Sequence, residues 1–168
     1  FETGSPGDAV PSWGGFKNRI ANDDIVADQV GQVGNGDGSL FQEFNVPPRE
    51  TYDVTFDYRW VGSAGSANAN LTVRIKEVGN LSNNLALTGG NNADGTGYVL
   101  DSALDTWLTA SFSFTVPAGI TAVRMLCFKP NGNKPLNLNN ANVSANLSTA
   151  GFEQYNFQAF PNPVKNIL

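Results

Sequence analysis

Histidine is missing from the 168 residues, and cysteine occurs once, at Cys127. The first absence removes Ser-His-Asp and Cys-His nucleophile arrangements and every His-ligated zinc. The second leaves no internal disulfide, and the context Arg-Met-Leu-Cys-Phe (124–128) reads Cys127 as a small core residue rather than a reactive thiol. Charge is scarce too. Charged side chains make up 15% and the net charge is −5, so no overall positive field or basic arm follows a phosphate backbone, and nucleic acid is excluded as a partner. No apolar run reaches the ~18 residues of a membrane-spanning helix, so membrane insertion is not expected. The start at Phe1 shows no basic n-region or cleavage site. No window of a dozen residues carries the apolar stripe of an amphipathic helix.

What the chain has instead is 18 Gly, 9 Pro and many Asn, Ser and Thr, a composition suited to short strands joined by polar turns. Period-two alternation is the dominant signal. In TYDVTFDYRW (51–60), Tyr52, Val54, Phe56 and Tyr58 share one face and Asp53, Thr55, Asp57 and Arg59 the other. NLTVRIK (70–76) and LTASFSFTV (108–116) repeat the pattern, and further strands fall near 26–32, 39–46, 97–101, 121–129 and 136–144. GNGDG, VPPRE, TGGNNADGTG, VPAG and KPNGNKP punctuate them. Eight such strands predict an all-β, two-sheet β-sandwich, a jelly roll, in one domain over 1–146. The stretch 12–20 reads as a Gly-hinged loop and 79–95 as polar turn material. Residues 147–159 read as a linker before a Pro-bracketed end at 160–168, which is no core strand.

Catalytic constellations are thin. Asp53 with Asp57, or Asp101 with Asp105, could make a carboxylate pair for glycoside hydrolysis, but each reads more simply as a strand-edge or turn residue, and no Glu-x-Asp-x-x-Glu spacing occurs. Binding fits the inventory better. In an eight-strand jelly roll, strands 69–77 and 121–129 are neighbours, which places Asn70, Thr72, Arg74, Lys76, Arg124 and Phe128 on one outward face. Three of the ten Lys and Arg converge there although the chain is net acidic, and Arg74 and Arg124 suit bidentate capture of a carboxylate or sulfate. The alternative is solvated strand residues paired with Glu77 or Asp57. SWGGFKNRI (12–20) adds Trp13, Phe16, Lys17 and Arg19. Trp107 reads as core, and Trp60, at a strand end, as either core or contact.

FPNPVKNIL (160–168) closely resembles the start of the C-terminal sorting domain of the Bacteroidetes type IX secretion system. That resemblance implies a secreted or cell-surface protein. FETG at the start, Trp13, SLFQEFNVPPRETYDVTFDY (39–58), TWLTASFSFTVPAGITAVRMLCF (106–128) and LNLNNANVS (136–144) together resemble the jelly-roll carbohydrate-binding modules of families 4, 9, 16 and 22. Such modules commonly tie an N-terminal Glu to the last strand through a structural Ca²⁺. The resemblance therefore implies Glu2 and Asn139 as ligands, Asn139 standing where the pattern more often has Asp; Asp37 is a further candidate. It also implies that the 12–20 loop flanks the binding cleft. Together these readings predict a non-catalytic module of a secreted polysaccharide-degrading enzyme, with a catalytic domain upstream. The cation cluster points to an anionic, uronate or sulfated algal polysaccharide. The alternatives are a neutral β-glucan or xylan gripped by Trp13, Phe16 and Trp60, or a structural or adhesion domain.

Overall fold

The computed structural model describes residues 4–62, 71–92 and 94–146. Their secondary structure is all strand: β1 (Gly14–Phe16), β2 (Asn18–Asn22), β3 (Gln29–Val33), β4 (Gly38–Asn45), β5 (Thr51–Trp60), β6 (Thr72–Glu77), β7 (Asn80–Asn84), β8 (Leu87–Thr88), β9 (Tyr98–Val99), β10 (Leu108–Thr115), β11 (Ala122–Lys129) and β12 (Leu136–Ala145). They form two antiparallel sheets. The front sheet runs β1-β4-β11-β6-β7, with β9 also on β6, and the back sheet runs β2-β3-β12-β5-β10-β8. This is the predicted β-sandwich, and its inner strands keep the expected jelly-roll order, β3-β12-β5-β10 behind and β4-β11-β6-β9 in front.

Alternation decides what goes inside. On β5, Tyr52, Val54, Phe56 and Tyr58 are buried while Asp53, Thr55 and Asp57 lie outward. β10 pairs with it so that Phe112 opposes Val54 and Phe114 opposes Tyr52, the last two rings stacking with centroids 5.4 Å apart. From the front sheet, Leu40, Val73, Ile75, Val123, Met125 and Cys127 close the core. Burying each large apolar side chain is worth roughly 1.5–3 kcal/mol, which makes the alternation strongly register-fixing. Cys127 sits in this layer as expected, its thiol pushed up to about 12 by burial.

Both stretches read as loops contain strands. Residues 14–22 form β1 on the edge of the front sheet and β2 on the edge of the back sheet. The chain changes sheets at Lys17, whose φ is 52°. Gly15 next to it has φ 130°, and a Cβ there would lie 2.2 Å from the Ser39 carbonyl oxygen, so close pairing of β1 with β4 demands glycine. Within 79–95, β7 hairpins onto β6 and β8 joins β10. The polar β7 was hidden because it buries nothing fully, and β8, with Leu87 buried beside an exposed Thr88, is too short to show a period. β12 is irregular: its register on β5 shifts between Asn139 and Asn142, and Asn140 has φ 50°. The expected linker 147–159 and sorting segment 160–168, with Glu2 and Asn70, lie outside the described residues.

Candidate functional site

The outer face of the front sheet carries three cross-strand rows. Phe16 of β1 opposes Ser39 of β4, which opposes Phe128 of β11, which opposes Thr72 of β6. Ser39 is buried, whereas Phe16 and Phe128 are 44% and 40% exposed. Two open rings thus flank a small residue, with their strands two spacings, about 10 Å, apart. The second row is Gly14, Phe41, Leu126 and Arg74. A Cβ on Gly14 would lie 2.3 Å from the Phe41 ring, so that ring rests on bare β1 backbone; the Arg124 guanidinium stands 4.0 Å from its centroid. The third row is Glu43, Arg124, Lys76 and Asn84.

Arg74, Lys76 and Arg124 do share this face, as the sequence predicted, but their tips are already engaged. Arg124 Nε donates to Glu43 Oε1 at 2.9 Å, and its Nη2 pairs with the same oxygen. Arg74 donates to Thr96 Oγ1 at 2.7 Å and to Asp94 Oδ2 at 2.8 Å. The Arg74 hydrogen bond holds Asp94 down at about 2. Lys76 Nζ donates to the Leu81 carbonyl and to Asn84 Oδ1, and burial, then the positive charges of Arg74 and Arg124, push its pKa down. The expected partners Glu77 and Asp57 are not those used. The open chemistry of the face is therefore aromatic and neutral-polar.

The other predicted contacts lie elsewhere. Trp60 is a correction: it is fully buried in the core and its indole N–H donates to the Asp101 carbonyl at 2.9 Å, so it touches no ligand. Trp13 packs half-buried against the core and lines a cavity of about 330 Å³ with Phe44, Tyr52 and Met125. Lys17 pairs with Asp37 at the sheet-switching corner. Arg19 belongs to the back sheet and donates to Gln32 Oε1, away from the front-face cations. Trp107 is not core either: Leu108 turns inward, and Trp107 lies half-buried on the outside of the back sheet.

Of the implied calcium ligands, Glu2 lies outside the described residues, and Asp37 and Asn139 make other contacts. Asp37 is occupied by Lys17 on the β3–β4 turn. Asn139 donates its amide to Asp28 Oδ2 at 3.1 Å and accepts from the Asn140 N–H. No group of three His, Cys, Asp or Glu side chains placed to hold a metal ion occurs among the described residues. The considered carboxylate pairs are likewise held in structural bonds: Asp53 accepts from Ser113, Asp57 from Thr109 and Asn140, Asp101 from the Ala103 N–H, and Asp105 from Arg59 and the Gly62 N–H.

Sequence reading missed a buried ionic network on the outside of the back sheet. The Arg59 and Asp23 side chains are 2% and 0% exposed beneath the β2–β3 loop. Arg59 Nη1 donates at 2.6 Å to Asp23 and to Asp24, and Nη2 at 3.0 Å to Asp105. Asp23 also accepts from Asn137 and from the N–H groups of Ile25 and Val26. The signal was available in the Asn-Asp-Asp stretch (22–24), an Asx-turn sequence, and in an outward Arg on a strand rich in acids.

No family model matches the chain, and no curated protein matches it. Solved structures do match in fold. A family 16 carbohydrate-binding module aligns at TM-score 0.55 and 14% identity, covering 80% of this chain and 89% of that one. A family 61 module, solved with β-1,4-galactotriose, aligns at TM-score 0.56 and 7% identity, covering 80% and 89%. An arabinose-bound GH51 α-L-arabinofuranosidase aligns at TM-score 0.61 and 11% identity over 86% of this chain; the match spans only 25% of that enzyme. These likenesses show the fold, a two-sheet β-sandwich shared with carbohydrate-binding modules. Within it, the individual character of this chain rests on the front-face rows above.

Proposed function

We propose that the chain is a non-catalytic carbohydrate-binding module that seats a neutral, β-linked glycan on the outer face of its front sheet. The row Phe16–Ser39–Phe128 carries this reading: two half-open rings offer flat apolar faces to the C–H side of sugar rings, and Ser39 and Thr72 keep the space between and beside them low. The family 61 neighbour with β-1,4-galactotriose supports the choice of ligand class. The acidic-glycan expectation loses its support because Arg74 and Arg124 each face a carboxylate, so an anion would have to displace Asp94 or Glu43. Attachment to an upstream catalytic domain, which the module would hold near its polymer, and export through the type IX route belong to the same proposal and rest on the sequence.

Electrophoresis through gels containing xylan, β-1,4-galactan, laminarin, alginate or carrageenan tests it. Retardation by a neutral polymer is expected. Phe128→Ala is expected to weaken binding at least about tenfold, or ~1.4 kcal/mol, while leaving thermal unfolding nearly unchanged. Phe16→Ala is expected to act in the same direction. Retardation by anionic polymers alone would restore the acidic-glycan reading, and retardation by none would favour a structural or adhesion role.

A further inference from the structure

We infer that a second saccharide-binding site lies on the opposite sheet, in the depression between the β2–β3 loop and the irregular stretch of β12. The depression has a volume of about 420 Å³, within the range of small-ligand sites. Trp107, Val26, Asp28, Asp57, Asn139 and Asn140 line it. The origin of the concavity is visible in the backbone. The register of β12 on β5 breaks just after Asn139, and Asn140 takes a left-handed conformation that swings its side chain onto Asp57 instead of along the sheet. On the other wall, the 23–28 loop stands over the sheet because Asp23 caps its N–H groups and is itself locked to Arg59.

The lining has the composition of a neutral-sugar site. Trp107 supplies a ring whose orientation is set by its indole N–H, 3.4 Å from Asp23 Oδ1. Val26, 48% exposed, extends the apolar rim. The polar groups are held in place before any ligand arrives. Asp57 accepts from Thr109 Oγ1 at 2.7 Å and Asn140 Nδ2 at 2.8 Å, and Asp28 accepts from the Gln29 N–H at 2.7 Å and Asn139 Nδ2 at 3.1 Å. Each of the four carboxylate oxygens has two acceptor positions. One hydrogen bond to each therefore leaves capacity for sugar hydroxyls. With two carboxylates and no cation in the lining, the site accepts a neutral hexose or pentose unit and repels a uronate. The two sites occupy opposite outer faces of the sandwich, so one molecule can engage two glycan segments, with the gain in avidity that two tethered sites confer.

The inference rests on the carbohydrate-binding reading only for its choice of probes, and the test separates the two. The protein is labelled with ¹⁵N, the indole N–H signals of its three tryptophans are assigned by Trp→Phe variants, and xylohexaose, cellohexaose, laminarihexaose and β-1,4-galactotriose are titrated to millimolar concentration. The Trp107 signal is expected to move, and to keep moving in a Phe16→Ala/Phe128→Ala variant that lacks the front-face rings. Trp60 is expected to stay still, and Asp57→Ala is expected to abolish the Trp107 shift while the remaining spectrum stays native. A Trp107 signal unmoved by all four sugars overturns the second site. So does a shift that vanishes with the front-face rings, since that would be a propagated effect. A Trp107 shift without any front-face binding would overturn the front site alone.

Discussion

Arg59→Met is expected to destabilise the fold by about 3–5 kcal/mol, the penalty typical of stranding a buried charge. Arg59 lies on an outward position of β5, yet its side chain is 2% exposed because the β2–β3 loop folds over it. Its removal leaves Asp23, 0% exposed, facing Asn137 and two backbone N–H groups without a countercharge. The three aspartates it gathers come from the β2–β3 loop and from the segment before β10, so the loss also unties two loops from the sheet. In a chain of this length the change corresponds to a fall in Tm of roughly 10 °C, readable by urea or thermal unfolding. Two controls fix the cause. Asp24→Asn, whose side chain is 79% exposed, is expected to cost only about 0–1 kcal/mol. Asp23→Asn added to Arg59→Met is expected to recover part of the loss, because it removes the stranded charge; no recovery would mean that Arg59 acts through packing of its stem.

The same network sets an acid limit. Burial pushes the Asp23 carboxyl up, but hydrogen bonds from Asn137, from the Ile25 and Val26 N–H groups and from Arg59 outweigh it and hold the group at about 2, against an ordinary 3.8. Because the folded value is the lower one, the stabilisation, about 2 kcal/mol, is fully present above pH ~4 and is lost as the pH falls toward 2. Stability measured between pH 5 and 2 should decline accordingly, with a smaller decline in Asp23→Asn. An identical decline in that variant would assign the acid sensitivity to other carboxylates.

How much of this the sequence could tell depended on burial. Wherever one face of a strand is buried, alternation showed it: β5, β6 and β10 were readable residue by residue, and the neighbouring placement of Arg74 and Arg124 followed from sheet order alone. The edge strands β1 and β7 bury almost nothing on either face, and β2 and β8 bury only Ile20 with Ala21 and Leu87, runs too short for alternation to show. The candidate site was legible as a face but not as a charge state. Arg74 is capped by Asp94, 20 residues away, and Arg124 by Glu43, 81 residues away. Such pairings depend on loop conformation and strand register, which periodicity does not encode. Trp107 was misread for a related reason: tryptophan is usually buried, and here it is covered by a loop on the outside of a sheet rather than by the core.

Trp60→Ala is the other large expected loss, about 3–5 kcal/mol, with the saccharide affinity of the fraction that remains folded unchanged. Trp60 is the largest fully buried side chain, so truncation opens a cavity that surrounding strands can close only in part. It also leaves the Asp101 carbonyl without the indole N–H it accepts at 2.9 Å. Trp60→Phe keeps most of the volume and loses mainly this bond, so it should cost distinctly less. The position has a second consequence, because Trp60 pins the segment that delivers Asp105. The Trp60 carbonyl accepts the Asp105 N–H at 2.8 Å and its backbone bridges to Leu104, bonds that alanine keeps. The coupling therefore runs through the indole N–H on Asp101, whose own N–H Tyr58 accepts from the same face of β5. Loosening that segment withdraws one of the acids around Arg59. Trp60→Ala combined with Arg59→Met should therefore cost less than the sum of the two, by about 0.5 kcal/mol or more, the order usual for residues sharing a network. Strict additivity in that double-mutant cycle would show that the core and the buried ion cluster are independent, and that the 101–105 segment is held by contacts other than Trp60.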